Sequence, residues 1–299
     1  VASQIRFYFL YSTSLRELAM LMSTQANRYA HQLLAARADS QQMPCLTKDD
    51  NLTIADGYDV AKCIVDIRIA QGETPIGRKI GFTNRRIWPN YGEREPISAP
   101  IWAHMYDDTV RYSEGNHGLQ DLTGAVQPRI EPEIVFKLAK APPPDATLED
   151  ITDCIEWMAH GFELVVCPFP DWKFEAADAV AAFGFHGALI VGEPHVLSSA
   201  TRAHLADILT AASVSLSYSE GDEFRLHSAG FGSNVLDSPV HALLNLHQTL
   251  QKQPQFAPLA AGEIIATGTL TDAYPVKPGQ TWSTAFSGVA LPGLTLSFV

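Results

Sequence analysis

One run restricts this chain more than any other: Arg129-Ile130-Glu131-Pro132-Glu133-Ile134-Val135-Phe136, continuing to Leu138. Its apolar and β-branched residues read as a strand over 130–138. Successive strand side chains point to opposite faces, so Glu131 and Glu133 share one face, about 7 Å apart, while Pro132, Ile134 and Phe136 point the other way. Two like charges buried together are costly, and solvent, a basic side chain or a cation must compensate them. Pro132 lacks an N–H, which places the run at an edge or an opening of its sheet. On its own the pattern is satisfied by an exposed edge strand with solvated glutamates.

Glu163 shifts that balance. It lies in Gly161-Phe162-Glu163-Leu164-Val165-Val166, an otherwise apolar strand where an unpaired carboxylate is expensive. Three carboxylates from two strands, with no Cys or His among them, make an all-oxygen set. Hard divalent cations such as Mg²⁺ prefer that set, whereas zinc would favour His or Cys. The competing reading pairs Glu163 with a basic residue such as Arg129. Lys79, in Gly77-Arg78-Lys79-Ile80-Gly81-Phe82-Thr83-Asn84, has glycines on both sides that let backbone approach a ligand closely. A lysine there can hold an anionic substrate or act as an acid, or simply lie solvated at the surface. Gly268-Thr269-Leu270-Thr271, after a strand over 263–267, can present amides and hydroxyls to a carboxylate, or form an ordinary turn.

Charge narrows the partners. With 21 Lys+Arg against 33 Asp+Glu the net charge is −12, which argues against nucleic-acid and anionic-membrane surfaces and suits a cation, or an anionic substrate arriving with one. At 46% hydrophobic and 18% charged residues, the 299-residue chain has globular composition, enough for one large domain or two smaller ones. No stretch approaches the roughly 20 apolar residues of a membrane-spanning helix. Cys45, Cys63, Cys154 and Cys167 have neither C-x-x-C spacing nor a histidine at zinc-finger distance, and read as buried free thiols in a reducing cytoplasm.

Along the chain, residues 1–22 read as an extension ahead of the domain, whose short apolar run is interrupted by Arg6. Residues 23–76 read as a helical region, with helices over 23–40 and 53–71. Residues 77–299 form a strand-rich part: strands over 79–83, 130–138, 162–166, 187–191, 214–218, 263–267, 281–286 and 294–298. Helices are expected over 203–212 and 239–250, and another capped by Thr147 and Asp150 that carries Ile151, Cys154, Ile155 and Met158. Pro89 to Pro100 is a loop. The fold class is α+β, with a small helical N-terminal layer packed on a mixed, β-rich roll.

Several of these segments, in this order, resemble the fumarylacetoacetate hydrolase superfamily, in its 2-keto-4-pentenoate hydratase and 4-oxalocrotonate decarboxylase branch. They are Lys79-Ile80-Gly81, Pro89-Asn90-Tyr91-Gly92, Glu131-Pro132-Glu133, Glu163, Asp171-Trp172-Lys173 with Ala177-Asp178-Ala179-Val180-Ala181, Ala266-Thr267-Gly268-Thr269 and Pro275-Val276-Lys277-Pro278-Gly279. The resemblance runs from about Lys79 to the C-terminus, and no P-loop, Rossmann or nucleophile-elbow motif competes with it. It implies a mixed β-fold rolled around the site, Mg²⁺ or Mn²⁺ as cofactor, a 2-oxo acid or its enol as substrate, and a homo-oligomer.

Carried over by residue, Glu131, Glu133 and Glu163 would ligate the metal, Lys79 would be the active-site lysine, and Asn90, Thr269 and Phe82 would contact substrate. The chain departs from the pattern twice. Asn90 stands where relatives commonly have an Asp, and Ala182-Phe183-Gly184-Phe185-His186 replaces an Asn-Ala-Ser wall. Under the hydratase reading Lys79 would have its pKa brought toward neutrality by burial and by the metal; His186 is a candidate base by chemistry, against the commoner reading of a hydrogen-bonded core histidine, and His104 has similar standing for the outer pocket. The expected activity is hydration of 2-hydroxypenta-2,4-dienoate or a related 2-oxo acid. The alternatives, in order, are decarboxylation of a 2-oxo-dioate of the 4-oxalocrotonate type, C–C hydrolysis of an acylpyruvate, and a non-catalytic partner subunit.

Overall fold

Residues 24–48, 51–90, 97–221 and 223–299 are described by a computed structural model of the chain; the 1–22 extension and the Tyr91-Gly92 pair lie outside the described residues. Two helices lead, α1 over 24–38 and α2 over Ile54–Ala70. Thr53 caps α2 through the Asp56 N–H while the Asp56 carboxylate accepts from Thr53, which satisfies two N-terminal donors at once. The strands and helices that follow are β1 (Pro75–Gly81), β2 (Ile101–Tyr106), β3 (Val110–Tyr112), β4 (His117–Gln120), β5 (Arg129–Leu138), α3 (Leu148–Cys154), β6 (Ile155–Val165), α4 (Ala176–Ala181), β7 (His186–Val191) and β8 (His195–Val196). Then come α5 (Ser199–Ala203), α6 (Leu205–Ala211), β9 (Ser213–Ser219), β10 (Arg225–Phe231), α7 (Pro239–Leu250), β11 (Ile264–Thr269), β12 (Tyr274–Pro275), β13 (Thr281–Ser287) and β14 (Thr295–Phe298).

The larger sheet runs β2-β1-β11-β5-β6-β7-β3, with β12 and β8 added beside β5 and β6. Its two end strands, β2 and β3, are consecutive in sequence and separated only by residues 107–109, and Met105 and Val110 from them pack in one cluster with Val135 of the central β5. A sheet whose ends meet over its own middle is rolled, and a short turn closes the roll. The second sheet, β10-β9-β13-β14-β4, packs Leu216, Trp282, Leu296 and Phe298 against Ile130, Phe162 and Leu164. Ile134, Phe136 and Leu138 share the main core with α1, α2, α4 and α7. This is an α+β molecule, with helices laid on rolled mixed sheets.

The structure moves several expected boundaries. Ile155 to Met158 belong to β6, not to the helix begun by Thr147 and Asp150; α3 stops at Cys154 because the following residues pair with β5 along its whole length. The 203–212 helix is two pieces, α5 and α6, interrupted at His204. Strands β2, β3, β4 and β10 appear where no strand was expected. Pro132 is not on an edge, since β5 is flanked by β6 on one side and by β11 and β12 on the other. It sits where the neighbour changes from β11, paired at Glu133–Lys137, to β12, paired at Arg129–Ile130, so its missing N–H leaves no ladder partner wanting. All four cysteines are free thiols, Cys154 and Cys167 buried and Cys45 and Cys63 half-buried.

Candidate metal and substrate site

The β5–β6 register sets Glu131 directly opposite Glu163, and Glu133 lies two residues along the same face of β5. One oxygen from each of the three carboxylates lies within 4.8 Å of the others. Glu133 and Glu163 are wholly buried, and Glu131 is half-buried at the floor of a cleft. The turn after β11 holds Glu133 from the other side: the Gly268 N–H donates to Glu133 Oε2 at 2.8 Å. Gly268 has φ +102, and a Cβ there would stand 2.2 Å from Thr83 Oγ1, so the approach requires glycine.

Lys79 on β1 reaches the cluster from two strands away and is 3% exposed. Its ammonium lies 3.1 Å from Glu163 Oε2 and donates to the Gly184 carbonyl at 2.9 Å. Gly184, with φ +56, leaves the Lys79 side chain room to pass. The alternative of a basic partner for Glu163 is met by Lys79, not by Arg129. Arg129 lays its guanidinium over Trp172, 4.3 Å from the ring centre.

Three carboxylates and one ammonium leave two negative charges uncompensated when all are ionised. The titration behaviour records that stress. Burial pushes Glu131 up to about 7, with the Lys79 charge opposing and the Glu163 carboxylate adding to the rise. Burial, then Glu163 and Glu131, raise Glu133 well above the usual carboxylate range. Glu163 is also penalised by burial, but Lys79 and His186 outweigh it and hold its carboxyl below the usual value. The carboxylates by themselves raise Lys79: burial would lower it, but Glu163, Glu131 and Glu133 together prevail. Glu133 Oε1 is buried without a hydrogen-bond partner, and Glu163 Oε2 has the Lys79 charge beside it but no aligned donor. Buried carboxylate oxygens lacking donors, in an all-oxygen cluster carrying two excess negative charges, fit a hard divalent cation. Glu131, Glu133 and Glu163 are the residues that could hold it.

The cleft above the cluster has a volume of about 270 Å³. Phe82 and Thr269, expected to touch substrate, both line it. So do Arg129, Trp172, Phe174 and Phe185, whose rings pack edge to face: Phe174–Phe185 at 4.7 Å, Trp172–Phe185 at 5.4 Å and Phe82–Phe174 at 6.0 Å between centres. Phe82, Trp172 and Phe185 all have positive φ, uncommon for bulky side chains and in keeping with a shaped wall. Phe185 could be suspected from its place in the replaced Asn-Ala-Ser wall; Arg129 could be suspected from its i−2 position to Glu131. Asn90 ends the short 3-10 turn Arg85–Asn90, directly before residues 91–96.

Neither histidine lines the cleft, and His186 is the hydrogen-bonded core residue of the alternative reading. His186 is 1% exposed and does not line the cleft; Nδ1 is 2.7 Å from Glu163 Oε1 and Nε2 is 2.9 Å from Thr109 Oγ1, so both ring nitrogens are engaged. His104 is on the other side of β2, 5.1 Å from the Trp102 ring and 5.9 Å from Phe256, under α2. Burial, then Arg78 and Lys62, push it down to about 3. Nothing in the sequence signals Thr109.

No family model matches the chain. It is 28% identical over 274 residues to the 2-hydroxyhexa-2,4-dienoate hydratase of Comamonas testosteroni, covering 90% of this chain and 94% of that protein. It is 28% identical over 253 residues to a 4-oxalocrotonate decarboxylase of a Pseudomonas species, covering 85% and 91%. The 4-oxalocrotonate decarboxylase of Pseudomonas putida G7, solved with magnesium and adipate, superposes with a TM-score of 0.79 at 23% identity, over 92% of this chain and 98% of that one. Fumarylpyruvate hydrolase of Pseudomonas aeruginosa, solved with Mn²⁺ and pyruvate, gives 0.51 at 18% identity, over 75% and 89%. In sequence the chain is similar to 2-keto-4-pentenoate hydratases and 4-oxalocrotonate decarboxylases, and its fold is that of the fumarylacetoacetate hydrolase family.

Proposed function

We propose that this chain is a divalent-metal-dependent hydratase that adds water to 2-hydroxypenta-2,4-dienoate or a related 2-oxo acid, giving a 4-hydroxy-2-oxo acid. One observation carries the reading: Glu131, Glu133 and Glu163 converge at the floor of a cleft, two of them wholly buried, with carboxylate oxygens left without donors. Hydratase relatives that align over nine-tenths of the chain support it. The three glutamates would hold Mg²⁺ or Mn²⁺, which supplies a Lewis acid for the carboxylate and 2-oxygen of the substrate.

The residues of the chain do the rest. Lys79 Nζ, at the cleft beside the carboxylate cluster, donates to a substrate oxygen and stabilises the charge that builds there or delivers a proton during enol–keto tautomerisation. Thr269 offers a hydroxyl on the facing wall. Phe82, Phe174 and Phe185 line the part of the cleft that would receive the unsaturated tail. His186, its ring nitrogens engaged away from the cleft, is not free to act as the base for the added water.

A second reading, decarboxylation of a 2-oxo-dioate, is favoured by Arg129. Its guanidinium lines the cleft on the same face of β5 as the glutamates, acts on Glu131 only through its charge, and forms no salt bridge within 4 Å among the described residues, so it can meet a distal carboxylate. The deciding experiment is turnover of dienoate, 4-oxalocrotonate and acylpyruvates, each with and without chelator. A hydratase consumes the dienoate only when metal is present; a decarboxylase acts only on the oxalocrotonate; an acylpyruvate hydrolase cleaves the third class. Glu133→Gln, which removes one anionic ligand without changing volume, abolishes metal-dependent turnover and leaves the fold intact. Full activity of that variant at limiting metal excludes Glu133 as a ligand.

A further inference from the structure

His186 is buried beside the carboxylate cluster yet takes no part in the chemistry above. Its Nδ1 faces Glu163 Oε1 at 2.7 Å and, opposite an acceptor, carries the hydrogen; Nε2 lies 2.9 Å from the Thr109 hydroxyl, whose single hydrogen is shared between Nε2 and the Tyr106 carbonyl at 3.0 Å. Thr109 is itself fixed, taking the Tyr106 N–H at 3.2 Å. The backbone of His186 is held as well. Arg37 of α1 donates from Nη1 to the His186 carbonyl at 2.7 Å and from Nη2 to that of Gly187 at 3.4 Å, its guanidinium lying over Phe183. With Oε1 tied to the ring, Oε2 is the Glu163 oxygen left beside Lys79 without an aligned donor. The ring therefore decides which oxygen of Glu163 is available.

We propose that His186, anchored by Thr109 and Arg37, is a positioning residue that fixes the orientation of Glu163 and thereby sets the affinity of the carboxylate cluster for a divalent cation. The inference rests on the metal reading of the three glutamates. Partners that orient a metal ligand typically account for 10- to 100-fold in metal affinity.

The test is Mn²⁺ titration of the full chain, read as free Mn²⁺ by electron paramagnetic resonance, with circular dichroism melts to establish folding. His186→Leu weakens Mn²⁺ binding at least ten-fold. His186→Asn, whose amide nitrogen reproduces the donor at the Nδ1 position, stays within about three-fold of wild type. Thr109→Val keeps the ring but frees it, and falls between the two. Turnover of His186→Leu recovers to within about three-fold of wild type at saturating Mn²⁺; a loss that excess metal does not restore assigns the ring a role in the reaction and overturns the proposal. If His186→Leu binds like wild type while Glu133→Gln does not, the positioning role is refuted and the metal reading stands. If Glu133→Gln binds as tightly as wild type, the metal reading falls and takes this inference with it. Should His186→Leu not fold, Thr109→Val decides, and unchanged affinity there refutes the role.

Discussion

The tightest backbone constraint at the site is Gly268, and Gly268→Ala makes it measurable. At φ +102 any Cβ is strained, by about 1–2 kcal/mol in the left-handed region. The added methyl would also meet Thr83 Oγ1 at 2.2 Å, Cγ2 at 3.0 Å and Cβ at 3.1 Å, in a side chain that is 2% exposed and has little room to yield. Overpacking of that kind costs about 1–3 kcal/mol. Together the substitution should remove about 2–5 kcal/mol of stability, read by urea unfolding. Any relaxation moves the Gly268 N–H away from Glu133 Oε2, so Mn²⁺ affinity should fall in the same variant. The two costs separate in a double-mutant cycle. Adding Thr83→Ala removes the two nearer-lying side-chain atoms, Oγ1 and Cγ2, but not the φ strain, so the pair should couple favourably by about 1–3 kcal/mol. A Gly268→Ala protein within 0.5 kcal/mol of wild type, or a cycle with no coupling, refutes the close-approach argument.

Other outcomes follow from other parts of the molecule. Arg129→Met should lower kcat/KM for a 2-oxo-dioate about 10- to 100-fold, the worth of one charge-assisted hydrogen bond, and leave the dienoate within three-fold; equal effects on both substrates remove Arg129 from specificity. His104 is held near pKa 3 in the folded chain against an ordinary value of 6.5, so between those values the unfolded chain binds a proton that the folded chain refuses. Stability is retained above about pH 6.5 and falls as pH drops, by about 3 kcal/mol at pH 4; His104→Phe should flatten that limb in urea melts at pH 7 and pH 4, and an unchanged slope counts against it. Asp178, fully buried, accepts from Thr47 N at 3.0 Å, Thr47 Oγ1 at 2.6 Å and Glu175 N at 2.9 Å. Asp178→Ala strands three donors and should cost about 3 kcal/mol or more, with a lowered melting temperature as the readout.

What could be read from the chain alone was what its local pattern holds. Alternation over 130–138 put Glu131 and Glu133 on one face, and the apolar setting of Glu163 marked it as needing company. That Glu131 faces Glu163 is a matter of β5–β6 register, which no single strand encodes. Pro132 marked an opening and not an edge: its tolerance comes from the exchange of β11 for β12 beside it, residues more than 130 positions away. Ile155 and Met158 continue a helical spacing after Thr147, and long-range pairing with β5 overrides it. His186 was visible as an unusual residue in a family segment. That it would be a hydrogen-bonded core residue could be read from its apolar setting, but its engagement with Thr109 and Glu163 depends on two elements far apart in sequence.

The turn over residues 107–109 joins the two end strands of the rolled sheet, and Thr109 within it also bonds His186, which in turn bonds Glu163. Shutting the barrel and completing the carboxylate nest are therefore one event. A chain that has formed its strands but not docked this three-residue latch still carries all the acidic groups, yet has lost the strut that aims one of them. Ion loading would then serve as a gauge of whether the final seam has been sewn.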